Sequence, residues 1–147
     1  MAHGDASSRA ELHRAGLRVT APRRAVLEWL ADHPHSTAEQ VGSGVRARLG
    51  SVSTQSIYNV LVACARVGLV RWIEPAGHPA RYERRTGDDH HHLVCRRCGR
   101  IDDVDGVSGR RTCLRPREAR GFAVDGTEVL FWGRCRECAA GAQPEPQ

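Results

Sequence analysis

Two cysteine pairs constrain this chain more than any other feature of it. Cys95-Arg-Arg-Cys98 and Cys135-Arg-Glu-Cys138 share the same two-residue gap. That gap lets both sulfurs of one turn face a single ion, and two such knuckles complete a tetrahedral all-sulfur shell of the kind zinc takes in structural sites. Thirty-six residues separate the pairs, more than a zinc ribbon holds, so the segment between them must be a folded layer. The first knuckle follows Leu93-Val94 and the second follows Phe131-Trp132-Gly133, so each is expected at the end of a strand. A redox dithiol is the competing reading of either pair alone. Two pairs together, with arginines beside them to favour thiolate, point to structural Zn(II).

The rest of the chain must be read with that staple in mind. At 147 residues it has room for one domain or two small ones, and small cores need a staple or a partner. No apolar run approaches the ~20 residues of a membrane span, and the N-terminus lacks the apolar core of a signal peptide. A cytoplasmic protein without membrane contact is expected. In that reducing compartment, closely spaced cysteines mean metal or redox chemistry rather than structural disulfides. The net charge of +5 permits a polyanionic partner without requiring one.

The first half reads as helices followed by a hairpin. Thr20 with Pro22, Thr37 and Ser53 are N-cap signals for three helices. Their apolar faces are Val26, Leu27 and Leu30; Val41, Val45 and Leu49; and Ile57, Val60, Leu61, Cys64 and Val67. Gly68 stops the third. Residues 69–73 and 80–83 look like strands around a Pro/Gly turn. Three helices and a hairpin in this order describe a winged helix-turn-helix. Residues 86–89 mark a linker. Beyond it, 93–95 and 100–104 can pair as strands, and 122–124 and 128–132 read as a hairpin around Asp125-Gly126. The reading is therefore an α+β chain: a winged-helix DNA-binding domain over 1–85, a hinge at 86–89, a small α/β dimerisation and metal-binding domain over 90–139, and a disordered tail at 140–147.

A second concentration of ligand chemistry precedes the first knuckle. In an extended His90-His91-His92, side chains alternate, so His90 and His92 point the same way and can share an ion while His91 faces away. Glu83 and Asp103 are close in sequence, and His33 and His35 lie between two of the helices. A mixed histidine and carboxylate set suits Fe(II), Mn(II) or Zn(II). A zinc hydrolase built on these histidines lacks any nucleophile or His-Glu-x-x-His motif.

The chain resembles the ferric uptake regulator family of bacterial metalloregulators. The resemblance is carried by Ala-Gly-Leu-Arg-Val-Thr at 15–20 with Pro22-Arg23, by His35-Ser-Thr-Ala-Glu39 and by Ser56-Ile-Tyr58-Asn-Val-Leu61. It continues through Gly68-Leu-Val70, His90-His-His-Leu-Val-Cys-Arg-Arg-Cys-Gly99 and Gly133-Arg-Cys-Arg-Glu-Cys138. It implies a homodimeric repressor that binds a palindromic operator when its sensing site is loaded. The implied regulatory ligands are His35, Glu83, His90, His92 and Asp103, spanning both domains. A further site known in some members would fall on Asp89, His91, Arg110 and Thr127. Arginine and threonine are poor ligands there, so two metals per subunit are expected.

Aspartate at 103 resembles the peroxide-sensing branch, in which Fe(II) reacts with peroxide and the histidines matching His35 and His90 are oxidised. The segment from Arg81 to His92, with Cys113-Leu114, looks most like the catalase-associated redox regulators. These repress a neighbouring catalase-peroxidase gene and themselves. Cys113 is a candidate redox thiol. The alternative is an iron- or zinc-uptake repressor without a redox role. In the third helix, Gln55, Ser56, Tyr58 and Asn59 are expected to meet base edges of double-stranded DNA. Gln and Asn suit adenine and Tyr suits thymine methyl groups, in keeping with the AT-rich operators the family favours. Arg18 would enter the minor groove and Arg23 would meet phosphate.

Overall fold

A computed structural model describes residues 3–84, 90–105, 116–124 and 127–141, with side chains from residue 6 onward. The linker at 86–89, the Asp125-Gly126 turn, Arg110, Cys113 and residues 142–147 of the tail lie outside the described residues. The chain forms two compact units, 1–88 and 89–147.

The first unit is helical with a small sheet. Its elements are α1 (His3–Arg14), α2 (Ala21–Asp32), β1 (Ser36–Thr37), α3 (Ala38–Leu49), α4 (Thr54–Arg66), β2 (Arg71–Ile73) and β3 (Arg81–Glu83). Each N-cap hydroxyl accepts a backbone N–H three residues on: Thr20 from Arg23, Thr37 from Gln40 and Ser53 from Ser56. At Thr37 the Gln40 side chain returns the bond, closing a capping box. Together these caps set where α2, α3 and α4 begin, and with that which faces turn inward. Leu12, Val26, Leu27, Leu30, Val41, Val45, Ile57 and Leu61 are all essentially inaccessible to solvent. Each such side chain contributes about 1.5–3 kcal/mol relative to exposure. Leu49 and Val67, expected on the apolar faces, are instead partly exposed at the helix ends.

α1 has no counterpart in the sequence reading, since it lacks an apolar stripe and anchors through Leu12. The wing strands are shorter than expected at both starts. β3 is the centre of the sheet, pairing antiparallel with β2 and with the two residues of β1. Among the described residues, no helix is long and apolar enough to cross a membrane.

The second unit contains β4 (His91–Cys95), β5 (Ile101–Val104), β6 (Leu130–Gly133) and a short α5 (Arg136–Ala140). β4 is central: β5 pairs with it antiparallel and β6 pairs with it parallel. The expected hairpin of 122–124 with 128–132 is not formed. Residues 122–124 carry no strand, Phe122 and Val124 are exposed, and β6 spends its hydrogen bonds on β4 instead. The parallel pairing has a consequence for chemistry. Both strands run toward their knuckles in the same direction, so both cysteine pairs arrive at the same end of the sheet.

Candidate metal centres and nucleic-acid interface

The register between β4 and β6 sets Cys95 opposite Gly133, and the Arg96 amide donates to the Gly133 carbonyl at 2.9 Å. Cys135 and Cys138 follow at the start of α5. The ligand atoms of Cys95, Cys98, Cys135 and Cys138 all lie within 4.8 Å of one another. Four sulfurs so gathered are the donor set zinc prefers. Hydrogen bonds from backbone amides of Cys135 and Cys98 hold the Cys95 thiol down to about 6, so it is the natural first thiolate. Cys138 is pushed up to about 12, first by its contact with the Cys135 sulfur. Such a cluster holds shared protons that a cation would displace. Arg97 donates to the Cys138 carbonyl, Arg100 reaches Glu137, and the Arg96 guanidinium lies 5.8 Å from the Trp132 ring centre.

The histidine segment lies at the start of β4 within the second unit. His92 pairs with Asp103 across the β4–β5 ladder. His90 and His92 are both buried, with ring centres 4.7 Å apart, so the expectation that they share a side holds in three dimensions. Their Nε2 atoms lie 3.6 and 3.5 Å from the same oxygen, Asp103 Oδ1. Two buried imidazole nitrogens and a part-exposed carboxylate brought together suit a borderline divalent cation. On the other side of the His92 ring, Nδ1 stands 3.2 Å from Glu128 Oε1. Sequence reasoning missed Glu128, because nothing in the spacing of residues 92 and 128 announces a strand pairing.

In the first unit, Glu83 is fully buried at the end of β3. Its Oε2 lies 3.1 Å from His35 Nε2, and its Oε1 lies 2.7 Å from Arg71 Nη2. Arg71 was also missed by the sequence reading; it faces Glu83 directly in the β2–β3 register. His35 adopts φ 59, the left-handed region that costs a non-glycine residue about 1–3 kcal/mol and gathers at functional positions. His33, the other candidate from that loop, does not join this pair. Its ring stacks on Trp29 at 3.8 Å and its Nδ1 meets the Trp29 carbonyl.

The proposed base contacts lie on one side of the first unit's last helix, and the proposed minor-groove and phosphate contacts lie just before α2 and in its first turn. Gln55, Tyr58 and Asn59 are exposed near the N-terminal half of α4, with Ser56 half-buried. Gln55 Nε2 donates to Asn59 Oδ1 at 2.9 Å. Arg18 is exposed, and Arg23 Nη1 donates to its carbonyl at 2.7 Å.

The model of the ferric uptake regulator family matches residues 14–129, which include the caps, the wing and the first knuckle. The chain belongs to the ferric uptake regulator family. Transcriptional regulator FurA of Mycobacterium tuberculosis is 50% identical to it over 129 residues, covering 88% of each chain. The peroxide-responsive repressor PerR of Staphylococcus epidermidis is 27% identical over 130 residues, covering 88% of this chain and 86% of that one. The solved ferric uptake regulator of Helicobacter pylori matches with a TM-score of 0.67 at 19% identity, covering 94% of this chain and 91% of that one, and so supports the fold. Members of this family are metal-dependent transcriptional regulators that bind operator DNA as dimers. This chain is such a regulator and not an enzyme.

Proposed function

We propose that this regulator is a homodimeric repressor holding Zn(II) in its four-cysteine cluster and a regulatory Fe(II) or Mn(II) on His35, Glu83, His90, His92 and Asp103. The reading rests chiefly on one observation, the convergence of buried His90 and His92 on Asp103. Three donors leave a divalent shell incomplete. The buried Glu83 and strained His35 are the natural supplement, and Glu83 precedes His90 by seven positions.

In this account residues 1–85 read DNA, residues 90–139 dimerise, and residues 86–89 connect them. Ligands drawn from both sides of that connection couple loading to the angle between the two DNA-reading parts of a dimer. Only one such angle fits two half-sites on an AT-rich palindrome. Gln55, Ser56, Tyr58 and Asn59 face the bases, while Arg18 and Arg23 meet the minor groove and phosphate.

We further propose that the signal is peroxide and that the targets are a catalase-peroxidase gene and the regulator's own gene. The aspartate at 103 and the similarity to FurA and PerR support this reading. Fe(II) held by these residues would supply the electrons that peroxide takes up, and His35 and His90 are the side chains that the resemblance to the peroxide-sensing branch marks for oxidation. Cys113 offers a thiol route.

The deciding experiment measures operator release by peroxide from the Fe(II)-loaded and Mn(II)-loaded proteins, followed by mass spectrometry. Release from the Fe(II) form alone, with oxygen added at His35 or His90, is expected. Equal release from both forms would favour thiol oxidation. Release from neither would favour an uptake repressor without a redox role.

A further inference from the structure

We propose that Glu128 is a positioning residue for His92, accepting a hydrogen bond from Nδ1–H so that Nε2 is left with its lone pair free for a cation. The inference rests on the regulatory-site reading above. A neutral imidazole has one donor and one acceptor nitrogen, and only the acceptor can bind a metal. Which nitrogen that is depends on where the single ring proton finds its partner. The His92 ring is fully buried, so bulk water is a poor candidate; within the second unit, Asp103 and Glu128 are the described carboxylates beside its two nitrogens. Glu128 Oε1 lies 3.2 Å from Nδ1 and Asp103 Oδ1 lies 3.5 Å from Nε2, both as close charge contacts not aligned as hydrogen bonds, so a turn of the part-exposed Glu128 carboxylate is what completes the Nδ1–H bond.

The competition between them is unequal. Asp103 Oδ1 is shared with Nε2 of His90 at 3.6 Å, whereas Glu128 approaches the opposite side of the ring. The two ring nitrogens diverge, so Glu128 cannot ligate the ion that His90, His92 and Asp103 would share. Its place is behind the ligand.

The fold explains how a residue 36 positions away reaches this point. The β4–β6 ladder sets His92 opposite Leu130, and the His92 amide meets the Val129 carbonyl at 3.4 Å. Glu128 is thereby brought beside the ring just before β6 begins. Because its side chain is 40% exposed, it can be replaced without opening the core.

Outer carboxylates of this kind fix the ring orientation and are worth about 10–100-fold in metal affinity. The test uses the full chain with its zinc in place. Long-range 1H–15N NMR reads the His92 tautomer before Mn(II) is added, and a Mn(II) titration reads affinity. The wild type is expected to carry its proton on Nδ1. Glu128→Ala should populate the other tautomer and weaken Mn(II) about 10–100-fold. Glu128→Gln, whose amide oxygen still accepts, should recover most of both. An unchanged tautomer and affinity in Glu128→Ala would overturn the proposal. His92→Ala separates this from the parent reading: wild-type Mn(II) affinity there would overturn the regulatory site itself, and the tautomer would still decide whether Glu128 holds the ring.

Discussion

Cys98 and Cys135 bring their sulfurs to 3.8 Å although they belong to different knuckles. The closeness follows from the parallel pairing of β4 with β6, which carries both knuckles to one end of the sheet. Zinc bound there should therefore hold strands together as well as turns. Cys135→Ser is expected to lose the tightly held zinc, about one ion per subunit, together with the fold of the second unit. Zinc stoichiometry and far-ultraviolet circular dichroism check this. A zinc-free variant that stays folded would contradict it.

Gly44 packs against the indole of Trp29, where an added Cβ would collide with the six-membered ring. Gly44→Ala should therefore cost about 1–3 kcal/mol by overpacking, despite the better helix propensity of alanine. Urea unfolding measures the loss, and combining it with Trp29→Leu should recover most of it. An unchanged midpoint for the single variant would show that the helices can separate freely.

The backbone at His35 makes a separate prediction. In the left-handed region glycine is at home and alanine is not. His35→Gly should be more stable than His35→Ala by about 1 kcal/mol, reversing the usual order. Both variants lose the contact with Glu83, so that loss cancels in the comparison. Equal stability, or a more stable alanine variant, would show that φ 59 is not held under strain.

Burial pushes the Cys64 thiol up to about 11. In the unfolded chain the thiol ionises near its ordinary value of 9.0, so between those values the unfolded state holds fewer protons. Stability should then fall as pH rises through 9 toward 11, and Cys64→Ala should remove that part of the slope. Pulse alkylation of the zinc-loaded protein at neutral pH should spare Cys64 until urea unfolds the first unit.

Much of this was legible in the sequence, for physical reasons that differ by element. Thr20, Thr37 and Ser53 could be recognised as caps because a cap is a local contract between residues three apart. The knuckles were legible because ligand spacing is local too. The partnership of His90 with His92 followed from strand alternation. What escaped depends on pairing at long range. β6 was read as half of a hairpin, since an alternating apolar strand does not say which neighbour it will join. Glu128 and Arg71 were missed for that reason: each meets its histidine or carboxylate partner only after strands are placed in register. α1 escaped because its sequence is polar on nearly every side and its inward face carries a serine, Ser8, beside the single apolar Leu12.

The central claim is that the histidine and carboxylate set, and not the four-cysteine cluster, governs DNA binding. It is tested most directly with His90→Ala, by fluorescence anisotropy on the DNA upstream of the regulator's own gene, titrated with Mn(II). The account predicts a variant that keeps its tightly bound zinc and loses Mn(II)-dependent binding. Mn(II)-dependent binding equal to that of the wild type would contradict it.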